Sequence, residues 1–117
     1  MKYLVVLLVV MISGCTSMAK DGAIIRAYNN YNDNDCQDVI SIVDRAVRVY
    51  DYNDDRKAEL LFLKAQCFEK TKDFEGALAL YGYIAYTFPK TQHGFRSNLI
   101  LKKVKEMHTG KHRDKEI

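Results

Sequence analysis

The chain has 117 residues, 18 basic and 15 acidic side chains for a formal charge of +3, 48% hydrophobic residues and a single proline. A length in this range holds one small domain, and so balanced a charge gives no general reason to bind nucleic acid. One proline, six glycines and few β-branched runs beyond the N-terminal segment leave little strand or turn punctuation, so the body reads as all-α.

The N-terminal segment starts Met1, Lys2, Tyr3 and runs apolar for nine residues, Leu4 to Ile12, before Ser13, Gly14 and Cys15. A charged start, a short apolar stretch and a small-residue close are the parts of a secretory signal. A membrane-spanning helix needs about 20 apolar residues, so this stretch is too short to cross. Ile12-Ser13-Gly14-Cys15 resembles the lipobox of bacterial lipoproteins. The resemblance implies removal of residues 1–14, a mature chain of 103 residues from Cys15 to Ile117, and a covalent lipid on the Cys15 thiol. Two or three acyl chains, at about 0.8 kcal/mol per buried methylene, hold far more firmly than one. Thr16 is not the aspartate that this family associates with inner-membrane retention. The resemblance therefore implies the outer membrane, facing the periplasm. An ordinary cleaved signal or a buried amphipathic start are the alternatives.

After a short linker, residues 15–22, helix-period apolar spacing predicts five helices in a domain over residues 23–108. Ala23–Tyr31 places Ile24, Ala27, Tyr28 and Tyr31 on one face and ends in Asn32-Asp33-Asn34-Asp35. Gln37–Tyr50 carries Val39, Ile40, Val43, Ala46, Val47 and Tyr50 three and four apart. Asp54 and Asp55 offer carboxylates to the free amides of a third helix, Arg56–Lys70. Asp73 caps a fourth, Phe74–Phe88, which Pro89 stops because its ring has no amide hydrogen and restricts the residue before it. Thr91 caps a fifth, His93–His108, with Phe95, Leu99, Ile100, Val104 and Met107 inward. Residues 109–117, polar and basic, read as a disordered tail.

Ala65, Phe68, Ala77, Tyr81, Ile84 and Pro89 resemble the tetratricopeptide repeat, a helix-turn-helix unit of about 34 residues. The match covers Ala58 to Thr91 and departs from the pattern at Leu61 and Lys64. Stepping back by the same interval finds only a degenerate unit before it. Tyr81 to Thr91 is also similar to the second helix and exit of periplasmic repeat lipoproteins that serve outer-membrane protein assembly and envelope division. Those families are larger, so architecture and an adaptor role are what the likeness implies. The repeat resemblance further implies a groove lined by the first helix of each pair, with Tyr28, Asn32, Phe62, Gln66, Glu69, Arg96 and Lys103 facing a protein partner; Tyr28 and Phe62 as plain core residues are the alternative.

Cys36 and Cys67 are the thiols that remain after Cys15. In an oxidising compartment a disulfide between them would close a loop of about 32 residues, stabilising by about 3–4 kcal/mol in the chain-entropy model. The alternative is two buried thiols acting as small apolar fillers. His108 and His112 are four apart, but two imidazoles with no acid or thiol beside them make a poor metal site. No nucleophile beside a base and no glycine-rich phosphate loop stands out, and the aspartates sit where helix caps explain them. The expectation is therefore a non-enzyme with no cofactor beyond the Cys15 lipid and no small-molecule substrate: an anchored adaptor or scaffold in a cell-envelope assembly. A pilotin-like carrier for an outer-membrane client, or a self-associating structural or exclusion lipoprotein, are the alternatives.

Overall fold

A computed structural model describes the backbone of residues 2–115 and the side chains of Tyr3 and residues 18–110. Among the described residues there is no strand, and five helices follow in order: α1 (Lys2–Asn32), α2 (Cys36–Val49), α3 (Asp54–Lys70), α4 (Phe74–Thr87) and α5 (Gln92–Lys115). The fold is all-α. It divides into two units, residues 1–51 with α1 and α2, and residues 52–117 with α3, α4 and α5.

In the first unit, α2 buries Val39, Val43 and Ala46, four and three residues apart, and packs on α1, where Ala23, Ile24 and Ala27 are buried. Alanines at the contact let the two backbones approach closely. Lys20 reaches from α1 and donates from Nζ to the Asp51 carbonyl. In the second unit, α4 buries Ala77, Tyr81 and Ile84 and packs on α3, whose buried set includes Ala58, Leu61, Phe62 and Ala65. Burying a large apolar side chain contributes about 1.5–3 kcal/mol. Helix α5 packs on α4 and α3 and buries Gly94 and Ser97, the Ser97 hydroxyl donating to the His93 carbonyl at 2.7 Å.

Within each of the two pairs the helices are joined by the same kind of turn. Asp35 N–H donates to Asn30 O and Asn34 N–H to Tyr31 O; Asp73 N–H donates to Phe68 O and Lys72 N–H to Glu69 O. This is the Schellman closure, which satisfies the last carbonyls of a helix and needs a left-handed residue. Asn34 (φ 62°) and Lys72 (φ 65°) supply it. The residue that completes the closure also caps the next helix: Asp35 Oδ1 accepts from Asp38 N–H at 3.3 Å, and Asp73 Oδ1 from Gly76 N–H at 3.0 Å.

These correspondences share one interval. The step from Cys36 to Phe74, which start α2 and α4, equals the step between the ends of those helices, Val49 and Thr87. It equals also the step between the ends of α1 and α3, Asn32 and Lys70, and that between the starts of α3 and α5, Asp54 and Gln92. The caps follow as well: Asn53 Oδ1 accepts from Arg56 N–H at 2.9 Å, and Thr91 Oγ1 accepts from Gly94 N–H at 2.9 Å. The chain is thus a helical-hairpin repeat whose period is the distance in sequence from Cys36 to Phe74. That period is about one helical turn longer than the 34 residues of the tetratricopeptide unit.

One expectation is corrected, and two helices run longer than the spacing predicts. Asn53, not Asp54 or Asp55, caps α3; Asp54 and Asp55 form its first turn, where their charges favour the helix N-terminus. The first helix begins at Lys2 rather than Ala23. The fifth continues through residues 109–115, where a disordered tail is expected from polarity alone. Gly110 stands one repeat interval after Lys72, yet none of the described glycines adopts a positive φ, and the helix runs on where the two hairpins turn.

Candidate functional site

The groove residues fall in both units. In the first, Tyr28 is half-buried on α1 and Asn32 is exposed at its end. In the second, Gln66 is half-buried and Glu69 exposed on α3, while Arg96 and Lys103, two turns apart, are exposed on α5. Phe62 is different. It is 3% exposed, its ring 5.3 Å from that of Tyr81 and 5.1 Å from that of His93, with the Arg96 guanidinium 4.6 Å over its face. Phe62 therefore offers no open surface to a partner. It forms the floor on which α5 seats Arg96, through a cation–π contact of the kind that contributes about 0.5–1 kcal/mol at exposed sites.

His93 is half-buried beside this ring. Desolvation by burial lowers its pKa, and the neighbouring Arg96 charge lowers it further, against the opposing pull of Glu59 and Asp55. Its first turn is fixed by Thr91, whose hydroxyl donates to Phe88 O at 2.7 Å while accepting from Gly94 N–H. Space there is so tight that a Cβ on Gly94 would lie 1.8 Å from the Phe88 carbonyl oxygen.

Beyond that first turn, α5 leaves large apolar side chains in solvent: Phe95 is 61% exposed, Leu99 49% and Met107 66%. They share their side of the helix with Arg96 and Lys103. On the other side of α5, Leu101 and Val104 with Leu78 of α4 line a shallow apolar depression that includes His108. In the first unit a smaller, polar hollow between α1 and α2 carries Arg26 and Arg45 at its rim.

Asp38, in the first turn of α2, has its carboxyl held above the ordinary range by a hydrogen bond with Asp35 and by that neighbour's charge. The pair belongs to the helix cap. Among the described residues no group of three His, Cys, Asp or Glu side chains could hold a metal ion. Cys36 and Cys67 are both buried and both disulfide-bonded. Cys15 and His112 lie outside the described side chains. Among the described residues no helix is long and apolar enough to cross a membrane.

Fold and surface define an all-α protein of helical hairpins that carries exposed apolar and basic side chains on its last helix. No family model matches the chain, and neither a curated protein nor a solved structure matches it.

Proposed function

We propose that this chain is a lipid-anchored adaptor: cleaved before Cys15, held on the outer membrane by a lipid on that cysteine, and presenting its hairpins to a protein partner in a cell-envelope assembly. The observation that carries the reading is the phase of the repeat. Helices α3 and α5 begin one interval apart, at Asp54 and Gln92, and one interval before Asp54 stands Thr16, directly after Cys15. The span Thr16–Asn32 then has 17 residues, the length of α3. The lipobox-like Ile12-Ser13-Gly14-Cys15 ends where a repeat unit counted back from α3 would begin, which supports a cut before Cys15. A chain cut there consists of two hairpins and one further helix.

The buried, disulfide-bonded Cys36 and Cys67 fit an oxidising compartment such as the periplasm. The surfaces fit protein binding: aromatic, aliphatic and arginine side chains exposed together are the composition of interface patches. The adaptor performs no reaction in this reading.

The test is a pull-down from detergent-solubilised membranes with a C-terminally tagged chain, beside a Cys15→Ala version, read by mass spectrometry. The adaptor reading expects one envelope assembly to co-purify with the anchored form and to weaken or vanish without the anchor. If neither form brings a partner down, the reading fails.

A further inference from the structure

The repeat register assigns α5 a role: it stands where α1 and α3 stand, as the first helix of a pair. In both pairs the second helix covers one particular face. Ala23 and Ala27 are buried on α1, which α2 packs against, and Leu61 and Ala65 are buried on α3, which α4 packs against. The counterparts of Leu61 and Ala65 on α5 are Leu99 and Lys103. Leu99 is 49% exposed where Leu61 is 9%, and Lys103 is exposed where Ala65 is fully buried. Phe95 and Met107 extend the same face by a turn on either side. Helix α5 therefore has the apolar stripe of a pair's first helix, and among the described residues no second helix follows to lie along it, because the chain stays helical through residues 109–111, where the other two pairs turn.

We propose that this face takes an acidic amphipathic helix of a partner protein, seated on α5 as α2 is seated on α1 and α4 on α3. The proposal rests on the adaptor reading and names the chemistry of its partner. The register sets the occupant's length: α2 and α4 each have 14 residues. It also sets the pattern, small or apolar residues spaced four and three apart, as in Val39, Val43, Ala46 and again in Ala77, Tyr81, Ile84. Charge sets the flanks. Among the described side chains of α5, Arg96, Lys102 and Lys103 are exposed on or beside the stripe against a single acid, Glu106, so carboxylates there are attracted. The same charges disfavour a second copy of α5 in this place, since like charges would face one another across the contact.

The test titrates the full chain, in detergent, with two fluorescein-labelled designed peptides of the α2 length. Both carry alanine, valine and isoleucine at the seating positions; one has glutamate and the other lysine at the flanks. The proposal expects the glutamate peptide to bind more than tenfold tighter than the lysine peptide. Leu99→Glu, a change at an exposed position, should weaken it at least tenfold with the circular dichroism spectrum unchanged, and Lys102→Glu with Lys103→Glu should narrow or reverse the charge preference. Equal binding of both peptides, no binding, or binding indifferent to Leu99→Glu overturns the proposal. So does self-association abolished by Leu99→Glu, or attachment to anionic-lipid vesicles that depends on Leu99, where neither peptide binds. In the membrane pull-down, an assembly retained equally by wild type and Leu99→Glu leaves the adaptor reading standing and this face refuted; peptide binding without any co-purifying assembly does the reverse.

Discussion

Asp35 and Asp73, one repeat interval apart, do the same two jobs in two hairpins: each backbone N–H closes the turn on the helix before it, and each carboxylate accepts from an amide in the first turn of the helix after it. Replacing a capping aspartate by alanine typically costs about 1 kcal/mol. Asp35→Ala and Asp73→Ala are each expected to lower stability by about that amount, read as a shift in the urea midpoint. The Asp73 change should cost more, because its bond is the shorter and because Asp35 is also pressed against the charge of Asp38. A neutral Asp73→Ala would contradict the turn geometry.

The left-handed residue in the same turns separates them. Asparagine tolerates positive φ, whereas lysine pays for it with a close approach of Cβ to the backbone. Lys72→Gly is therefore expected to stabilise the chain by about 0.5–1 kcal/mol, while Asn34→Gly changes little. Thermal melts of the two variants side by side make the comparison. Equal effects would mean that Lys72 is not strained.

Gly94 sets the approach of α5 to the end of α4. Its Cβ would fall well inside contact distance of the Phe88 carbonyl, a backbone group that cannot swing aside. Gly94→Ala should destabilise by about 2–3 kcal/mol, despite the better helix propensity of alanine. Gly82, whose Cβ would meet nothing, is the control: Gly82→Ala should stabilise by about 0.5–1 kcal/mol.

His93 gives the fold a pH dependence. Burial depresses its folded-state pKa below the ordinary histidine value of 6.5, so the unfolded chain takes up a proton at a higher pH than the folded one does. Stability from this group is present in full above 6.5 and is lost as pH falls from there through the depressed folded pKa. The melting temperature of the wild type should fall between about pH 7.5 and 5.5, and that of His93→Gln should fall less. Identical slopes for the two proteins would remove His93 from the account.

Cys36 and Cys67 are expected to be bonded to each other in protein purified from the cell envelope. A non-reducing peptide map should contain one cross-linked pair, and reduction should lower stability by about 3 kcal/mol. Two thiols that alkylate without reductant would contradict the pairing.

Much of this fold was legible in the sequence because helix periodicity and caps are local. Asp73 and Thr91 are capping residues where the pattern places them, and Pro89 lies just beyond the end of α4. The true repeat interval was not legible. Its markers are backbone geometries that different residues fulfil: asparagine and lysine at the left-handed position, asparagine and threonine as the next cap, valine and tyrosine at one core position. Only scattered identities, such as Ala27 with Ala65 and Asp35 with Asp73, carry it in letters. Phe62 reads equally as groove or core, because a lone aromatic on a helix does not reveal which neighbours will enclose it; Tyr81 and His93 do so from two other helices. The open face of α5 could not be separated from a core face either. Phe95, Leu99 and Met107 have helical spacing, and only the register shows that they stand on the face that a second helix covers in the other two pairs.

The measurement that bears most directly on an anchored adaptor is the intact mass and N-terminal peptide of the chain isolated from the membranes of its own host. The account predicts a mature protein that starts at Cys15, with a diacylglyceryl group on the thiol and none of residues 1–14. A chain that keeps Met1, or one that starts elsewhere with the Cys15 thiol free, would contradict it.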